Sequence, residues 1–184
     1  MLILHFDHTS PSAAIAVLRL QPLADEGGNV RFSGIDVLGL DMSIPPTLDL
    51  LADLDRQRAA AADLGLTMRR PSRQPPTLSA HLVGEVAEEA GLGASWRSAC
   101  LRGYWTDDAD LHDEAVLLDL AAVAGLRPGT VAGRLADRTA RANLRTRMVA
   151  QRRRGIGGVP VLESDGVFVA ASLPDDDLRR LAGR

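Results

Sequence analysis

A glycine-rich segment followed by a hairpin pattern, at residues 155–171, constrains the fold of this chain more than any other stretch. Two short apolar runs flank Ser164, Asp165 and Gly166, and aspartate and glycine readily adopt the positive φ angles of tight hairpin turns. Pro160 lies at the entrance of the first run, one of the few places where a strand accepts a residue without an N–H group. The pattern therefore predicts two antiparallel strands. The glycines before Pro160 allow the backbone to approach either a packed helix or a ligand.

The first twenty residues predict a strand, a sharp turn and a helix that begins near Ser10. Residues 1–6 are mostly apolar, and residues 14–20 form a helical run. Ser10 is a favourable N-cap, and Pro11 is favoured at the first helical position. Because a helix N-terminus presents unpaired N–H groups and a positive dipole end, we expect the Ser10 turn to suit an anion. The alternative is that Ser10 only caps the helix.

The middle of the chain predicts a helical block inserted into a sheet. Residues 30–41 are rich in β-branched and apolar residues and predict a second strand, parallel to the first, with the 14–20 helix as the crossover. Thr77 is predicted to cap one helix of the block, and the last helix either bends or restarts near Asp137. The predicted helices are 48–65, 77–90, 94–104, 113–124 and 130–154, with a closing helix at 175–181.

Composition and net charge argue against several classes of function. The 184 residues suit one domain or one domain with a large insertion, and the net charge of −3 argues against nucleic-acid binding through bulk electrostatics. The sequence contains no run of 18 apolar residues and no charged-then-apolar leader, so we expect a cytoplasmic protein without a membrane partner. The absence of lysine excludes Schiff-base chemistry and a P-loop. The single cysteine, Cys100, excludes an internal disulfide and suits a small core residue.

Together these segments resemble the DsbA-like thioredoxin-fold family. The resemblance rests on the Ser10-Pro11 turn, on the glycine-rich approach to Val159-Pro160 with its hairpin, and on residues 99–126, which look like the family's helical insertion. It implies an α/β fold, a thioredoxin-like sheet with a large all-helical insertion. Pro160 would follow a cis peptide bond beside the active site. The implied domains are a discontinuous thioredoxin-like domain, 1–44 and 155–184, and a helical insertion domain, 45–154.

The resemblance also implies an active site that lacks the redox-active cysteines of the family. The family carries Cys-Pro-x-Cys where this chain has Ser10, Pro11, Ser12 and Ala13, so dithiol–disulfide exchange by this chain alone is not expected. Two related branches, the kappa-class glutathione transferases and the 2-hydroxychromene-2-carboxylate isomerases, have serine at the first position, where it hydrogen-bonds the thiolate of glutathione. By this resemblance Ser10 is the candidate catalytic residue, and glutathione or another low-molecular-weight thiol is the candidate cofactor. The groove expected to bind a small thiol or a peptide is formed by Ser10, Pro11, Ser12, Val159, Pro160 and Ser172.

Two function classes stay open for this groove. One is a thiol-dependent transferase or isomerase, and the other is a non-catalytic binding or structural member of the family. Leu173 and Pro174 occupy the places where kappa-class members carry the residues that hold the γ-glutamyl group, which argues against glutathione itself. His8 is a candidate orienter of Ser10, but no acidic third member of a Ser-His-Asp triad can be assigned.

Two further expectations concern metals and assembly. His5 and His8 would point to opposite faces of a continuing strand, so we expect no metal site there. A homodimer through the helical insertion is expected, because Trp96, Tyr104 and Trp105 place most of the large aromatic side chains in one segment. Burial of these three side chains in the core is the alternative.

Overall fold

The computed structural model describes residues 1–183, which form four strands and eight helices. The strands are β1 (Leu2–Phe6), β2 (Val30–Gly34), β3 (Val161–Ser164) and β4 (Val167–Val169). The helices are α1 (Pro11–Asp25), α2 (Leu48–Asp63), α3 (Leu78–Glu89), α4 (Gly93–Asp107), α5 (Glu114–Val123), α6 (Pro128–Ala136), α7 (Arg138–Arg153) and α8 (Asp175–Leu181).

The sheet has the strand order β2-β1-β3-β4. Strand β1 runs parallel to β2 and antiparallel to β3, and β3 and β4 form the predicted hairpin. Its turn lies at Asp165 and Gly166, which adopt φ angles of 49° and 82°. Six helices, α2 to α7, lie between β2 and β3 in sequence. This is the thioredoxin-like sheet with a helical insertion that the sequence predicts.

Strand β2 is shorter than the predicted strand at 30–41. It ends at Gly34, and only the N–H of Ile35 continues the pairing, donating to the carbonyl of Phe6 at 2.8 Å. The carboxylate of Asp7 then accepts the N–H of Val37 at 2.8 Å. A side chain thus takes the place of the next strand partner, and the chain leaves the sheet.

One large buried cluster runs through both the sheet and the insertion. It joins Leu4 of β1 and Val17 of α1 to Leu101 of α4 and Leu117 of α5. The division at residues 44/45 and 154/155 stays a prediction, and the two parts share this hydrophobic core.

Two expectations about the helices are settled by the structure. The helix at 130–154 restarts, because α6 ends at Ala136 and the Asp137 carboxylate accepts the N–H groups of Thr139 and Ala140 to cap α7. Thr77 lies at the predicted N-cap position of α3, but its side chain does not cap the helix: its φ and ψ are −111° and 5°, and its buried hydroxyl makes no hydrogen bond within residues 1–183.

The aromatic cluster of the insertion belongs to the core. Trp96, Tyr104 and Trp105 are at most 1% exposed, so they offer no apolar surface to a partner. The Trp105 indole N–H donates to the carbonyl of His8 at 3.0 Å and fastens the insertion to the end of β1. The homodimer stays a prediction, without the support of these side chains. In the described part of the chain, no helix is both long and apolar enough to cross a membrane.

Candidate functional site

The Ser10 turn stands between β1 and α1, as the sequence predicts. Ser10 is the N-cap of α1, with φ −94° and ψ 121°, and its Oγ accepts the N–H of Ala13 at 3.2 Å. Pro11 occupies the first helical position. The Ser10 hydroxyl donates no hydrogen bond to any of residues 1–183. Since a hydroxyl carries one donor besides its acceptor lone pairs, Ser10 keeps an O–H that a ligand can accept.

The expectation that this helix start offers unpaired N–H groups is wrong, because Asp53 of α2 already occupies it. The Ser12 N–H donates to Asp53 Oδ2 at 3.0 Å, and the Ser12 hydroxyl donates to the same carboxylate at 2.8 Å. Gln57 donates to Ser12 Oγ at 3.2 Å. With Ala13 bonded to Ser10, the first turn is satisfied by the chain itself. Ser12 therefore fastens α1 to α2 rather than facing a ligand.

Sequence reasoning missed Asp53 because it lies inside a helix, among other acidic and basic residues, with no local pattern to mark it. Its role appears only when α1 and α2 pack together. A carboxylate held against a helix N-terminus is favourable, since the dipole there is positive.

The Val159–Pro160 segment lies next to the end of β1. Its peptide bond is cis. Because His5 of β1 pairs with Val161 of β3 in an antiparallel register, Pro160 and Val159 run alongside the residues that follow His5 and lead to the Ser10 turn. The N–H and C=O of Val159 make no hydrogen bond within the described residues. The segment therefore offers a free backbone donor and acceptor.

The two glycines that precede Val159 have free space around them. A Cβ placed at Gly157 or at Gly158 would meet no atom within 4 Å. Val159 and Pro160 are themselves half-buried, and Val159 packs on the large core cluster. An extended ligand could therefore lie along residues 157–159 without displacing a side chain at either glycine.

Ser172 is the remaining residue predicted for the groove. It is exposed in the turn before α8, and no hydrogen bond joins it to Ser10 in the described part of the chain. The segment around it is held by Arg19, which donates to the carbonyls of Ala171 and Leu173 and pairs with Asp175.

His8 is buried behind the turn rather than bonded to Ser10. Its ring stacks on His81, with centroids 4.8 Å apart, and packs edge-on against Phe6. Burial lowers the pKa of His8 well below its ordinary value, and the positive charges of His81 and Arg97 add to the effect. Nδ1 of His8 has no hydrogen-bond partner within residues 1–183. The structure thus gives His8 no orienting bond to Ser10.

The other two polar residues of this segment belong to internal networks. His5 Nε2 lies 2.9 Å from Glu163 Oε2, and Asp7 accepts the N–H groups of Thr9 and Val37. Burial lowers the pKa of His5, although the hydrogen bond to Glu163 raises it in part. Among the described residues, no group of three or more histidine, cysteine and acidic side chains is arranged to hold a metal.

Cys100 is a core residue, as expected. It is fully buried in α4, and burial raises the pKa of its thiol well above the ordinary value. A neutral, inaccessible thiol is a poor nucleophile.

Comparisons with known proteins agree with this fold. The family model for the DSBA-like thioredoxin domain matches residues 2–183. The fold is similar to that of a probable DsbA oxidoreductase from Streptomyces coelicolor, with 22% identity, a TM-score of 0.82, and coverage of 97% of this chain and 86% of that one. No curated protein sequence matches the chain.

Two further solved structures share the fold at lower identity. A 2-hydroxychromene-2-carboxylate isomerase has 18% identity and a TM-score of 0.74, with coverage of 99% of this chain and 92% of that one. The cytosolic disulfide reductase DsbM from Pseudomonas aeruginosa, in a structure with GSH, has 19% identity and a TM-score of 0.69, with coverage of 97% and 95%. The family match over nearly the whole length, together with the turn–helix and cis-proline geometry, shows that this chain belongs to the DSBA-like thioredoxin domain family.

Proposed function

We propose that this protein binds a low-molecular-weight thiol, or an extended peptide, between the Ser10 turn and the Val159–Pro160 segment. The observation that carries the proposal is that both segments keep hydrogen-bonding groups that the protein itself does not use. The Ser10 hydroxyl keeps a donor that the protein does not use, and the Val159 backbone keeps both its N–H and its C=O.

Ser10 would act on the sulfur of the ligand as a hydrogen-bond donor. Its acceptor function is already committed to Ala13, and no base stands beside it to make it a nucleophile. A hydrogen bond from Ser10 to a thiolate favours the charged form and lowers the pKa of the thiol. The positive end of α1 acts in the same direction, whereas the nearby carboxylate of Asp53 opposes it. Ser10 thus polarises a bound thiol without reacting with it.

The Val159 backbone would hold the main chain of the ligand. An extended peptide gains affinity by adding its own backbone hydrogen bonds to an exposed edge, which suits γ-glutamyl tripeptides and protein segments alike. The presence of GSH in the structure of the relative DsbM supports a thiol of this class. Glutathione itself is not favoured over other thiols, because the segment around Ser172 is tied to Arg19 instead of offering charged side chains.

The reaction class follows from what the site lacks. With serine and alanine at positions 10 and 13 and with Cys100 buried, the chain has no dithiol for disulfide exchange. A thiol-dependent isomerase or transferase reaction needs only a polarised thiol, which Ser10 can supply. We place this activity in the cytoplasm, where thiols are kept reduced. The second candidate is a non-catalytic binding protein, favoured by the Asp53 carboxylate that already fills the helix N-terminus.

Isothermal titration calorimetry with glutathione and with S-methylglutathione tests the proposal. We expect Ser10→Ala to weaken glutathione binding by roughly tenfold, the effect of losing one hydrogen bond to a charged group, and to leave S-methylglutathione unchanged. Ser98→Ala, an exposed serine of α4, is the matched control and should alter neither. If neither glutathione nor other small thiols bind, or if Ser10→Ala affects both ligands equally, Ser10 does not polarise a thiol.

A further inference from the structure

Strand β2 forms one edge of the sheet, and its outer side has no strand partner among residues 1–183. The N–H of Ile35, directly after β2, donates to the Phe6 carbonyl of β1 at 2.8 Å. Because backbone groups alternate in direction along a strand, the odd-numbered residues of β2 bond to β1 and the even-numbered ones point away from it. Phe32 and Gly34 therefore turn their N–H and C=O groups outwards. No hydrogen bond within residues 1–183 reaches those groups.

Two helices reach this edge from opposite faces of the sheet. Helix α3 lies on the core face, where a Cβ at Gly34 would overlap the His81 ring. Helix α7 lies on the other face, where Gln151 donates to Ser33 Oγ at 2.7 Å. The two helices also pack on each other in a small apolar cluster of their own. Since they come from opposite faces, they meet beyond β2 and shelter the Gly34 end of the edge.

A cavity of about 740 Å³ borders the same edge. Its lining includes Phe32 and Gly34, together with residues of α3, α4 and α7. None of the residues of the Ser10 and Val159–Pro160 groove lines it. Backbone groups that face such a cavity bond to water or to a ligand, because an unpaired buried N–H or C=O is costly. A second copy of this chain would bring its own α3 and α7 to the same place, so the space suits a single strand.

The charge beside this edge is positive. Arg31 precedes Phe32, lines the cavity, is exposed and forms no ion pair within residues 1–183. Every acidic side chain of the lining is paired with an arginine, so Arg31 is the one lining arginine whose charge the described residues leave unmatched. The pairs are Glu85–Arg147, Glu88–Arg97, Glu89–Arg134 and Glu163–Arg154.

We infer that the edge of β2 binds an extended peptide segment as a fifth strand, with an acidic side chain beside Arg31. An added strand gains affinity from main-chain hydrogen bonds, and its alternate side chains reach both faces of the sheet. The segment runs antiparallel to β2, the slightly more stable pairing. In that register one peptide residue exchanges two hydrogen bonds with Phe32. The next residue lies opposite Arg31 and carries the acidic side chain.

An NMR titration with acetyl-Thr-Val-Glu-Thr-amide tests this site. In the inferred register the valine lies opposite Phe32, the glutamate lies opposite Arg31, and the acetyl carbonyl faces the Gly34 N–H. The new hydrogen bonds should move the amide proton signals of Phe32 and Gly34 downfield. The amide protons of Arg31 and Ser33 already bond to β1 and should move less. The opposite pattern, or no saturable shift at millimolar peptide, would overturn the inference.

Two N-methylated peptides separate backbone pairing from side-chain binding. Methylation of the valine nitrogen removes the N–H that the Phe32 carbonyl accepts, so binding should weaken by roughly tenfold. Methylation of the glutamate nitrogen is the matched control, because that N–H points away from β2 and its loss should leave the affinity nearly unchanged. Equal losses for the two peptides would contradict pairing in this register.

A charge variant tests the role of Arg31. Arg31→Gln should weaken binding of the glutamate peptide by roughly two- to fivefold, the range of an exposed ion pair. The same variant should bind acetyl-Thr-Val-Gln-Thr-amide as the unmodified protein does. Arg138→Gln, an exposed arginine of α7 outside the lining, is the matched control and should change neither affinity. An equal loss for both peptides would show that Arg31 does not read the acidic side chain.

A blocking variant separates this edge from other binding sites. Ala150 lines the cavity and Val149 does not, although both are exposed on α7. Ala150→Trp should abolish binding of the glutamate peptide, and Val149→Trp should preserve it. Ser10→Ala should bind the peptide normally, so the result does not depend on the thiol site. Binding that survives Ala150→Trp would place the peptide elsewhere and overturn the inference.

Discussion

Replacement of Asp53 by alanine should separate the N-terminus of α1 from α2 and destabilise the protein. Asp53 accepts both the N–H and the hydroxyl of Ser12, and its side chain is only 19% exposed. Hydrogen bonds to charged groups contribute about 1.5–3 kcal/mol each, and water recovers part of this at a half-buried residue such as Ser12. We therefore expect a loss of about 2–3 kcal/mol in the free energy of unfolding.

Urea denaturation followed by circular dichroism measures this loss, and thermal unfolding provides a second value. For a protein of this size each kcal/mol lowers Tm by about 2–4 °C, so Asp53→Ala should lower it by about 4–12 °C. The matched control is Asp55→Ala on the same helix, where the side chain is 78% exposed and the Arg58 partner is 3.7 Å away. That change should stay within about 0.5 kcal/mol.

A double-mutant cycle identifies the cause of the loss. If Asp53 acts through Ser12, then Ser12→Ala and Asp53→Ala should be coupled by at least about 1 kcal/mol, since residues in direct contact are not additive. Equal effects of Asp53→Ala and Asp55→Ala, or fully additive effects of the Ser12 and Asp53 variants, would refute the assignment of Asp53 as the anchor of the turn.

Three other predictions concern buried groups. Burial lowers the pKa of His8 in the folded protein, so the unfolded chain binds more protons below about pH 6.5. The free energy of unfolding should therefore decrease as the pH is lowered below that value. His8→Phe should flatten that fall in urea denaturation at pH 5–8; an unchanged slope would exclude His8 as its source. Gly34→Ala should destabilise by about 1–3 kcal/mol, because its Cβ would overlap the buried His81 ring, whereas Gly133→Ala in open space should not destabilise. Cys100 should react with a thiol reagent only after unfolding; rapid reaction of native protein would contradict its burial.

The elements that depend on local sequence are the ones the sequence predicts well. The Asp165-Gly166 turn and the Ser10-Pro11 helix start are set by residues with strong backbone preferences, and both stand where predicted. The family resemblance added the fold, a thioredoxin-like sheet with a large helical insertion, which no local pattern contains. The sequence leaves open whether the helix bends or restarts near Asp137. The structure shows a restart, because the Asp137 carboxylate caps α7.

The details that depend on contacts between distant residues could not be read from the sequence. The Asp53–Ser12 bond joins positions 41 residues apart, and Thr77 fails as a cap although its residue type is suitable. The polar residues on one face of β1 likewise come together through strand register, which brings Arg31 beside Ile3 and Glu163 on the other side of it. Such sites combine residues that have no pattern in common along the chain.

The measurement that tests the thiol site most directly is the pKa of the bound thiol. Thiolate absorbance of the glutathione complex is recorded against pH, in a Cys100→Ala background that removes the protein's own thiol. Free thiols of this kind titrate near ~8.5. If Ser10 polarises the sulfur, the bound thiol has a lower pKa than the free thiol, and Ser10→Ala returns it towards the free value. An identical pKa for the bound thiol with and without the Ser10 hydroxyl would contradict the account.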